Sequence, residues 1–285
     1  MGRKSRFSLK ALSLALLLLV ILSGLSWTGA YAWQRHAEGS VYLEAMRPAS
    51  AKLKPLCDHL SQASERLLIT SGPPLSSEET DTRISELRSK ANDVRSELKR
   101  FDAVASSYQP SPYLPVIDSQ KAQTLHTRAV AASAQVREVL DDYDGLLTFL
   151  ERYYKTNAQF SAQLARFNGL TDLNVLQGTT FTILSTSGDI ESQIAELKTM
   201  SPPPNLEVVR AQAIATHEKA ASGFRALANA LSPPIDGLIY AAAGEIESAT
   251  SENEATSALL DTKLQASPIL KDVSELSEKI SDFTF

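Results

Sequence analysis

The sequence is poor in the residues that build familiar catalytic centres. It has one cysteine, Cys57, so no disulfide can form within the chain. It has no glycine-rich phosphate loop, no Cys-x-x-Cys, no His-Glu-x-x-His and no Gly-x-Ser-x-Gly. These absences argue against zinc, nucleotide and serine-nucleophile enzymes. We therefore expect a non-enzymatic protein that needs no cofactor.

Basic residues are also scarce in the second half of the chain. The net charge is −5, and the residues from Thr171 onward include 16 acids and 7 bases. Because binding to phosphate backbones needs a basic face, nucleic acid is not an expected partner. Between Arg225 and Lys263 there is no base, and the acids lack the order of a calcium loop. We expect a solvated acidic face there, with a cation-buffering surface or a surface for a basic partner as alternatives. The acids are Asp236, Glu245, Glu247, Glu252, Glu254 and Asp261.

One long apolar run stands out against this polar background. Residues 11–33 carry no charge, and residues 1–10 before them contain four bases. The length fits a membrane-spanning helix, while the densest part, 11–22, also fits the core of a signal peptide cleaved after Ala32. The aromatic residues at its end favour a retained signal-anchor, because they would form an interfacial belt. The predicted anchor residues are Leu12, Leu17, Val20, Ile21, Trp27, Tyr31 and Trp33.

The position of the bases predicts the topology. Lys and Arg flank the apolar run on its N-terminal side, which predicts a cytoplasmic N-terminus at residues 1–10 and an extracytoplasmic chain beyond about Gln34. We expect a single-pass protein of the cell membrane, or a secreted protein if the segment is removed. The lipid bilayer is then its first partner, through residues 11–33.

Apolar residues beyond the run recur in steps of three and four, which predicts an all-α ectodomain. The longest such seam predicts one helix within 116–167, with Gly145 as the point where it could bend or break. A shorter seam runs from Ile84 to Phe101, and others follow near 190–197, 206–231 and 269–283. The long seam consists of Leu125, Ala129, Ala132, Val136, Val139, Tyr143, Leu146, Leu150, Tyr153, Asn157, Phe160, Leu164 and Phe167.

Proline clusters mark the expected joints, because proline cannot continue a helix. They predict five or six helices in an elongated, antiparallel, coiled-coil-like bundle. The region 34–200 would hold helical hairpins, and acidic helices of 205–285 would pack on the same bundle. Within 34–69, Pro48 and Pro55 are expected to interrupt the helix.

Four residues are candidates for an interaction or for fixing the helix register. Asn157 is the polar member of the long seam, and a lone Asn can fix register and oligomeric state; a break near Gly145 would instead leave it exposed. Cys57 is expected to be a small packed hydrophobe, or else an intermolecular disulfide. A faint 91-residue repeat relates His126 to His217, which could meet as a metal or pH-sensitive pair or could be ordinary surface histidines.

These features leave three classes of function. The first is a membrane-anchored envelope protein whose helical ectodomain is a scaffold, a spacer or a protein-interaction module. Its partner would be another envelope protein or a second copy of the chain. The second is a ligand-sensing or solute-binding ectodomain, with a pocket between helices. The third is an adhesin or effector that is secreted if the signal is cleaved.

Overall fold

A computed structural model describes residues 9–68, 77–109, 120–167, 180–232 and 234–281, with side chains in the first helix described from Val20. These ranges contain eight α-helices: α1 (Leu9–Leu68), α2 (Ser77–Ala105), α3 (Gln120–Phe167), α4 (Thr180–Thr199), α5 (Glu207–Ala230), α6 (Asp236–Gln265), α7 (Pro268–Ser274) and α8 (Leu276–Ser281). A 3-10 turn, Pro204–Leu206, precedes α5. One isolated bridge between Leu231 and Pro234 is the extent of β-structure in the described ranges. The prediction of an all-α protein is confirmed.

The first helix corrects a sequence prediction. Pro48 and Pro55 are expected from the sequence to interrupt the helix, but α1 is 60 residues long and continues through both prolines. Proline inside a helix costs about 3 kcal/mol, because it removes a hydrogen bond and crowds the preceding turn. Both prolines are exposed, whereas Met46, Leu53 and Cys57 on the other face are completely buried. Burial of that continuous face offsets the local cost, so tertiary packing overrides the proline signal.

The long seam forms one helix. α3 has 48 residues and continues through Gly145, so the alternative of a break at that glycine is wrong. Its eleven apolar positions from Leu125 to Leu164 are all buried, and Phe167 at its end is half-buried. The helix ends at Phe167, directly before Asn168-Gly169, a pair suited to a helix C-terminus.

The other seams also lie on buried faces. In α2, the six positions from Ile84 to Phe101 are all less than 4% exposed. Pro268 opens α7 at its first turn, where a missing N–H costs nothing. The last seam is divided, however: α7 ends at Ser274 and α8 begins at Leu276, so one predicted helix is two short ones. The division adds one helix, whereas the loss of the proline breaks in α1 removes expected ones; the described ranges contain eight helices rather than five or six.

The chain divides into two compact helical units. Unit 1 comprises residues 1–54, 96–135 and 280–285, and unit 2 comprises 55–95 and 136–279. In unit 1, buried side chains come from α1, α2 and α3, among them Met46, Leu53, Leu98, Phe101, Leu125 and Ala129. In unit 2, α5 packs against both α4 and α6. Its core includes Phe160, Leu164, Ile183, Ile190, Phe224, Leu227, Ile239 and Ile246.

Among the residues that the structure describes, no helix has an apolar stretch long enough to cross a bilayer. The side chains of the predicted anchor residues Leu12 and Leu17 lie outside the described part of the chain.

Candidate functional site

The N-terminal part of α1 presents apolar and aromatic side chains to the surroundings. Val20 and Ile21 are exposed, and Trp27 and Trp33 are 70% and 76% exposed. Tyr31 is half-buried, and its ring stacks on Trp27 with 5.8 Å between the ring centroids. Burial begins farther along the same helix, at Tyr42 and Met46. One uninterrupted helix thus passes from an exposed apolar stretch into a packed core.

Three aromatic rings, one of them on α1, pack together at the point where burial of this helix begins. We call the set Arg35, Tyr42, Tyr108 and His126 the aromatic junction. Tyr42 and Tyr108 stack with 5.1 Å between centroids, and His126 meets each ring edge-on at 6.3 Å. Offset and edge-on contacts of this kind add about 0.5–1.5 kcal/mol each to the burial of the rings.

Arg35 attaches α1 to the segment after α2. Its Cζ lies 5.3 Å from the centroid of the Tyr108 ring, a cation–π distance. Its Nη2 donates a hydrogen bond to the carbonyl oxygen of Gln109 at 2.6 Å, and Nη1 pairs with Glu38 at 2.9 Å. The planar guanidinium suits this combination of stacking and forked donation, which lysine could not reproduce.

The aromatic junction is a packing contact between side chains rather than a reactive site. His126 Nδ1 lies 2.9 Å from the carbonyl oxygen of Ala105. Because a carbonyl only accepts, Nδ1 carries the proton and donates it. Burial, and secondarily the charge of ionised Tyr108, raises the pKa of Tyr42 to about 12, so its hydroxyl stays protonated at neutral pH. The cluster therefore presents a fixed cation beside the protonated hydroxyl of Tyr42.

In unit 2, the most unusual titratable group is His217. It is 1% exposed, and its ring stacks on Phe160 with 3.7 Å between centroids. Nδ1 lies 2.8 Å from the carbonyl oxygen of Ala213, so this nitrogen carries the proton and Nε2 is an acceptor. Nε2 is buried with no hydrogen-bond partner among the described residues. Burial lowers the pKa of His217 to about 4, although the bond to Ala213 opposes the shift.

Further polar side chains lie on the helices around His217. Gln193 on α4 donates through Nε2 to Oε1 of Gln163 on α3, at 3.1 Å. Asn253 on α6 donates through Nδ2 to Oγ of Ser161, also at 3.1 Å. We call this set, with Asn157, the polar layer of unit 2. These hydrogen bonds link α3 to α4 and to α6. Such links favour one relative register of the helices over shifted registers.

Asn157 is half-buried on the unbroken α3. Its Oδ1 is buried and has no donor within the described residues. Exposure through a break at Gly145 is therefore wrong, while the role of Asn157 in fixing register stays a prediction.

The two histidines of the faint repeat have different surroundings. The rings that contact His126 are Tyr42 and Tyr108, whereas the ring that contacts His217 is Phe160. Among the side chains that the structure describes, no group of three or more His, Cys, Asp or Glu is placed to hold a metal ion. The other two histidines, His36 and His59, are exposed.

Cys57 is a fully buried thiol on α1. Burial, and secondarily the charge of Asp58, raises its pKa to about 12. A protonated, enclosed thiol is a poor nucleophile, which favours its interpretation as a packed hydrophobe over an intermolecular disulfide.

The acidic tract lies on α6. Glu252 is paired with Lys219 of α5 at 2.5 Å, whereas Glu245, Glu247 and Glu254 are exposed. In the described parts of the chain, these three and Asp236 form no ion pair.

Of the aromatic junction, only His126 was a candidate from the sequence, and its contacts with Tyr42 and Tyr108 were not predicted. Arg35 and Tyr42 are seven residues apart, a spacing that places them on one helix face, and this was the only available signal. Tyr108 follows α2 outside any periodic segment, so nothing in the sequence pairs it with α1.

Comparisons with known proteins add no relative: no protein-family model, no curated protein and no solved structure matches this chain.

Proposed function

We propose that the chain is a non-enzymatic, single-pass protein of the cell membrane whose helical ectodomain is a protein-interaction module. Residues 11–33 would be the anchor, residues 1–10 would stay in the cytoplasm, and the chain beyond about Gln34 would be extracytoplasmic. The observation that carries the proposal is the character of α1: most of the described side chains from Val20 to Trp33 are exposed and none is charged, whereas one face of the helix is buried from Tyr42 onward.

An exposed apolar helix is costly in water. Burying apolar surface is worth roughly 25 cal/mol per Å², and the exposed side chains include two tryptophans and several aliphatic residues. Insertion into hydrocarbon removes that surface from water without any protein partner. Trp27, Tyr31 and Trp33 have the amphipathic rings that favour the headgroup region, next to the first packed residues.

The aromatic junction supports a tether that holds the ectodomain at a defined position. Arg35 comes two residues after Trp33 and joins α1 to Gln109 and Tyr108. The junction thus binds the helix to its own unit immediately beyond the anchor segment. This is the arrangement expected of a spacer or scaffold, whereas a flexible tether would place polar, glycine-rich residues here.

Membrane extraction and protease accessibility test this proposal. We expect the full-length chain to stay with membranes in alkaline carbonate and to be released by detergent. Protease added to spheroplasts should remove a C-terminal tag and leave a tag at residue 1 protected.

Two results would contradict the proposal. A mature chain that begins after Ala32 and appears in the medium would assign it to the secreted class. Protection of the C-terminal tag would reverse the topology. Leu17→Arg and Ile21→Arg together should abolish insertion, because charges in the hydrocarbon core are costly. The matched control, Lys52→Glu and Lys54→Glu together, also changes the charge at two positions of the same helix, and it should leave insertion unchanged.

A further inference from the structure

We propose that the outward face of α6 is a docking surface for a basic amphipathic helix of another protein. We define this α6 outer face by Ile235, Asp236, Leu238, Tyr240, Glu245 and Glu247. The inference deepens the proposed function, on which it rests, by naming the surface and the chemistry of its partner.

Large apolar side chains on this face have no partner in unit 2. α6 packs on α5 through a narrow stripe that includes Ile239, Ala242 and Ile246. The residues between those positions point away, and Tyr240 and Leu238 are 74% and 55% exposed. Exposed apolar residues grouped on one helix face are typical of interaction sites, whereas isolated ones are ordinary.

The exposed residues form two rows along the helix, one on each side of a strip of small residues. Leu238 and Glu245 lie on one row, seven residues apart, and Tyr240 and Glu247 lie on the other with the same spacing. Each row therefore has an apolar residue nearer the start of α6 and a carboxylate two turns later. Between them are small exposed residues, and a Cβ added at Gly244 would meet nothing within 4 Å. A helix can therefore approach this face closely.

The charge of the face determines the partner. Asp236, Glu245 and Glu247 have no ion pair among the residues that the structure describes. Other acids of unit 2 are neutralised: Glu191 pairs with Arg225 at 2.7 Å, and Glu252 pairs with Lys219 at 2.5 Å. Arg225 and Lys219 are thus already paired with other carboxylates.

A partner that matches this surface has an apolar stripe bordered by Lys or Arg. Its apolar residues would cover Leu238 and Tyr240, and its cations would meet Glu245 and Glu247. A second copy that presents the same face would bring like charges together, and an anionic bilayer would be repelled. A basic amphipathic helix avoids both penalties.

Binding of a designed peptide to the full-length chain in lipid nanodiscs tests the proposal. The probe is a fluorescein-labelled helix of about 18 residues with a leucine stripe flanked by lysines. The double variant Leu238→Ser/Tyr240→Ser should weaken Kd by about tenfold or more, because apolar anchors dominate such interfaces. Glu245→Gln/Glu247→Gln should weaken Kd by about threefold to tenfold and flatten its dependence on salt.

Two control variants test whether peptide binding depends on the α6 outer face or on any exposed apolar or acidic side chain. Phe181→Ser removes a side chain that is 84% exposed on α4, and Glu138→Gln removes one exposed carboxylate on α3. Both should bind the peptide within about twofold of the unaltered chain, since neither residue belongs to the α6 outer face.

Three outcomes would overturn the inference. The first is equal affinity of the two double variants and the unaltered chain. The second is equally tight binding of a scrambled peptide of the same composition. The third is self-association in sedimentation that the double variants abolish, which would assign the face to a second copy. Carbonate extraction of the same variants keeps the two proposals apart: loss of peptide binding with intact anchorage supports the docking surface, and unchanged binding with intact anchorage refutes the docking surface while leaving the anchor proposal standing.

Discussion

The imidazole of His217 lies flat on the ring of Phe160, with 3.7 Å between the centroids and 18° between the ring planes. This contact joins α5 to α3 in the core of unit 2. It places an ionisable ring where only its neutral form is well accommodated, so stability should depend on pH.

We expect unit 2 to lose stability as the pH falls from about 6.5 to about 4. The pKa of His217 is lowered from 6.5 in the unfolded chain to about 4 in the fold by burial. Between these values the unfolded state binds a proton that the native state does not, so the free energy of unfolding decreases. The contribution is fully present above pH 6.5 and amounts to about 3 kcal/mol.

Urea titrations at several pH values check this expectation. His217→Leu should remove the His217 part of the pH dependence, whereas His59→Gln, which alters an exposed histidine, should retain it. Identical pH profiles for the unaltered chain and His217→Leu would show that the buried ring does not control acid stability.

A charge on the buried face of α3 should be far more damaging than one on its outer face. Val136 is completely buried and Gln135 beside it is exposed. Val136→Asp should cost about 3 kcal/mol or more, because it buries a carboxylate with no partner. Gln135→Asp should change the free energy of unfolding by less than about 0.5 kcal/mol. Comparable thermal melts for the two variants would contradict the burial pattern.

Replacing Asn157 by leucine should stabilise unit 2. Its Oδ1 is buried without a donor among the described residues, and removing an unsatisfied polar atom is worth about 1 kcal/mol. If Asn157 selects a single register, the gain should come with broader amide signals or a changed sedimentation coefficient. The control is Gln159→Leu at an exposed position of the same helix, for which we expect neither effect.

Two glycines inside helices should respond differently to alanine. A Cβ at Gly145 would meet nothing within 4 Å, so Gly145→Ala should stabilise α3 by up to about 1 kcal/mol through helix propensity. At Gly223 a Cβ would lie 3.0 Å from Ile246 Cγ1 and 3.2 Å from Glu245 Cβ. Crowding between α5 and α6 should cancel the gain or reverse it. Equal Tm increases in both variants would mean that the two helices are farther apart.

The thiol of Cys57 should be protected from reagents in the folded chain. Maleimide labelling should be at least about a hundredfold slower than for a cysteine introduced by Gln62→Cys, an exposed position on the same helix. Denaturation should make the two rates equal. Rapid native labelling, or a disulfide-linked dimer on non-reducing gels, would revive the alternative that Cys57 bridges two chains.

The sequence predicted those parts of the fold that depend on helical periodicity. The seams of α2 and α3 were correct because buried apolar residues recur every three or four positions whatever their partners are. α1 was misjudged at Pro48 and Pro55, since a local signal was outweighed by burial of the opposite face. The division between α7 and α8 left no signal, because the apolar spacing continues across it.

The candidate sites were less accessible from sequence. Arg35 reaches Gln109 across 74 residues of chain, and no local pattern encodes so distant a bond. His217 was recognised as a candidate only through a faint repeat, and its burial depends on Phe160 of another helix. The acidity of α6 was evident from the sequence, whereas the sequence did not show that Lys219 pairs with Glu252 and Arg225 with Glu191, which leaves Glu245 and Glu247 without an ion pair among the described residues.

The absence of a joint in α1 has a mechanical consequence. A helix of 60 residues is about 90 Å long, and no break interrupts it between Val20 and Met46. If its first part lies in a bilayer, a membrane thinner than that part tilts it, and the tilt passes to the residues fixed by Arg35. The thickness of the membrane would then act mechanically on unit 1 through the tilt of α1.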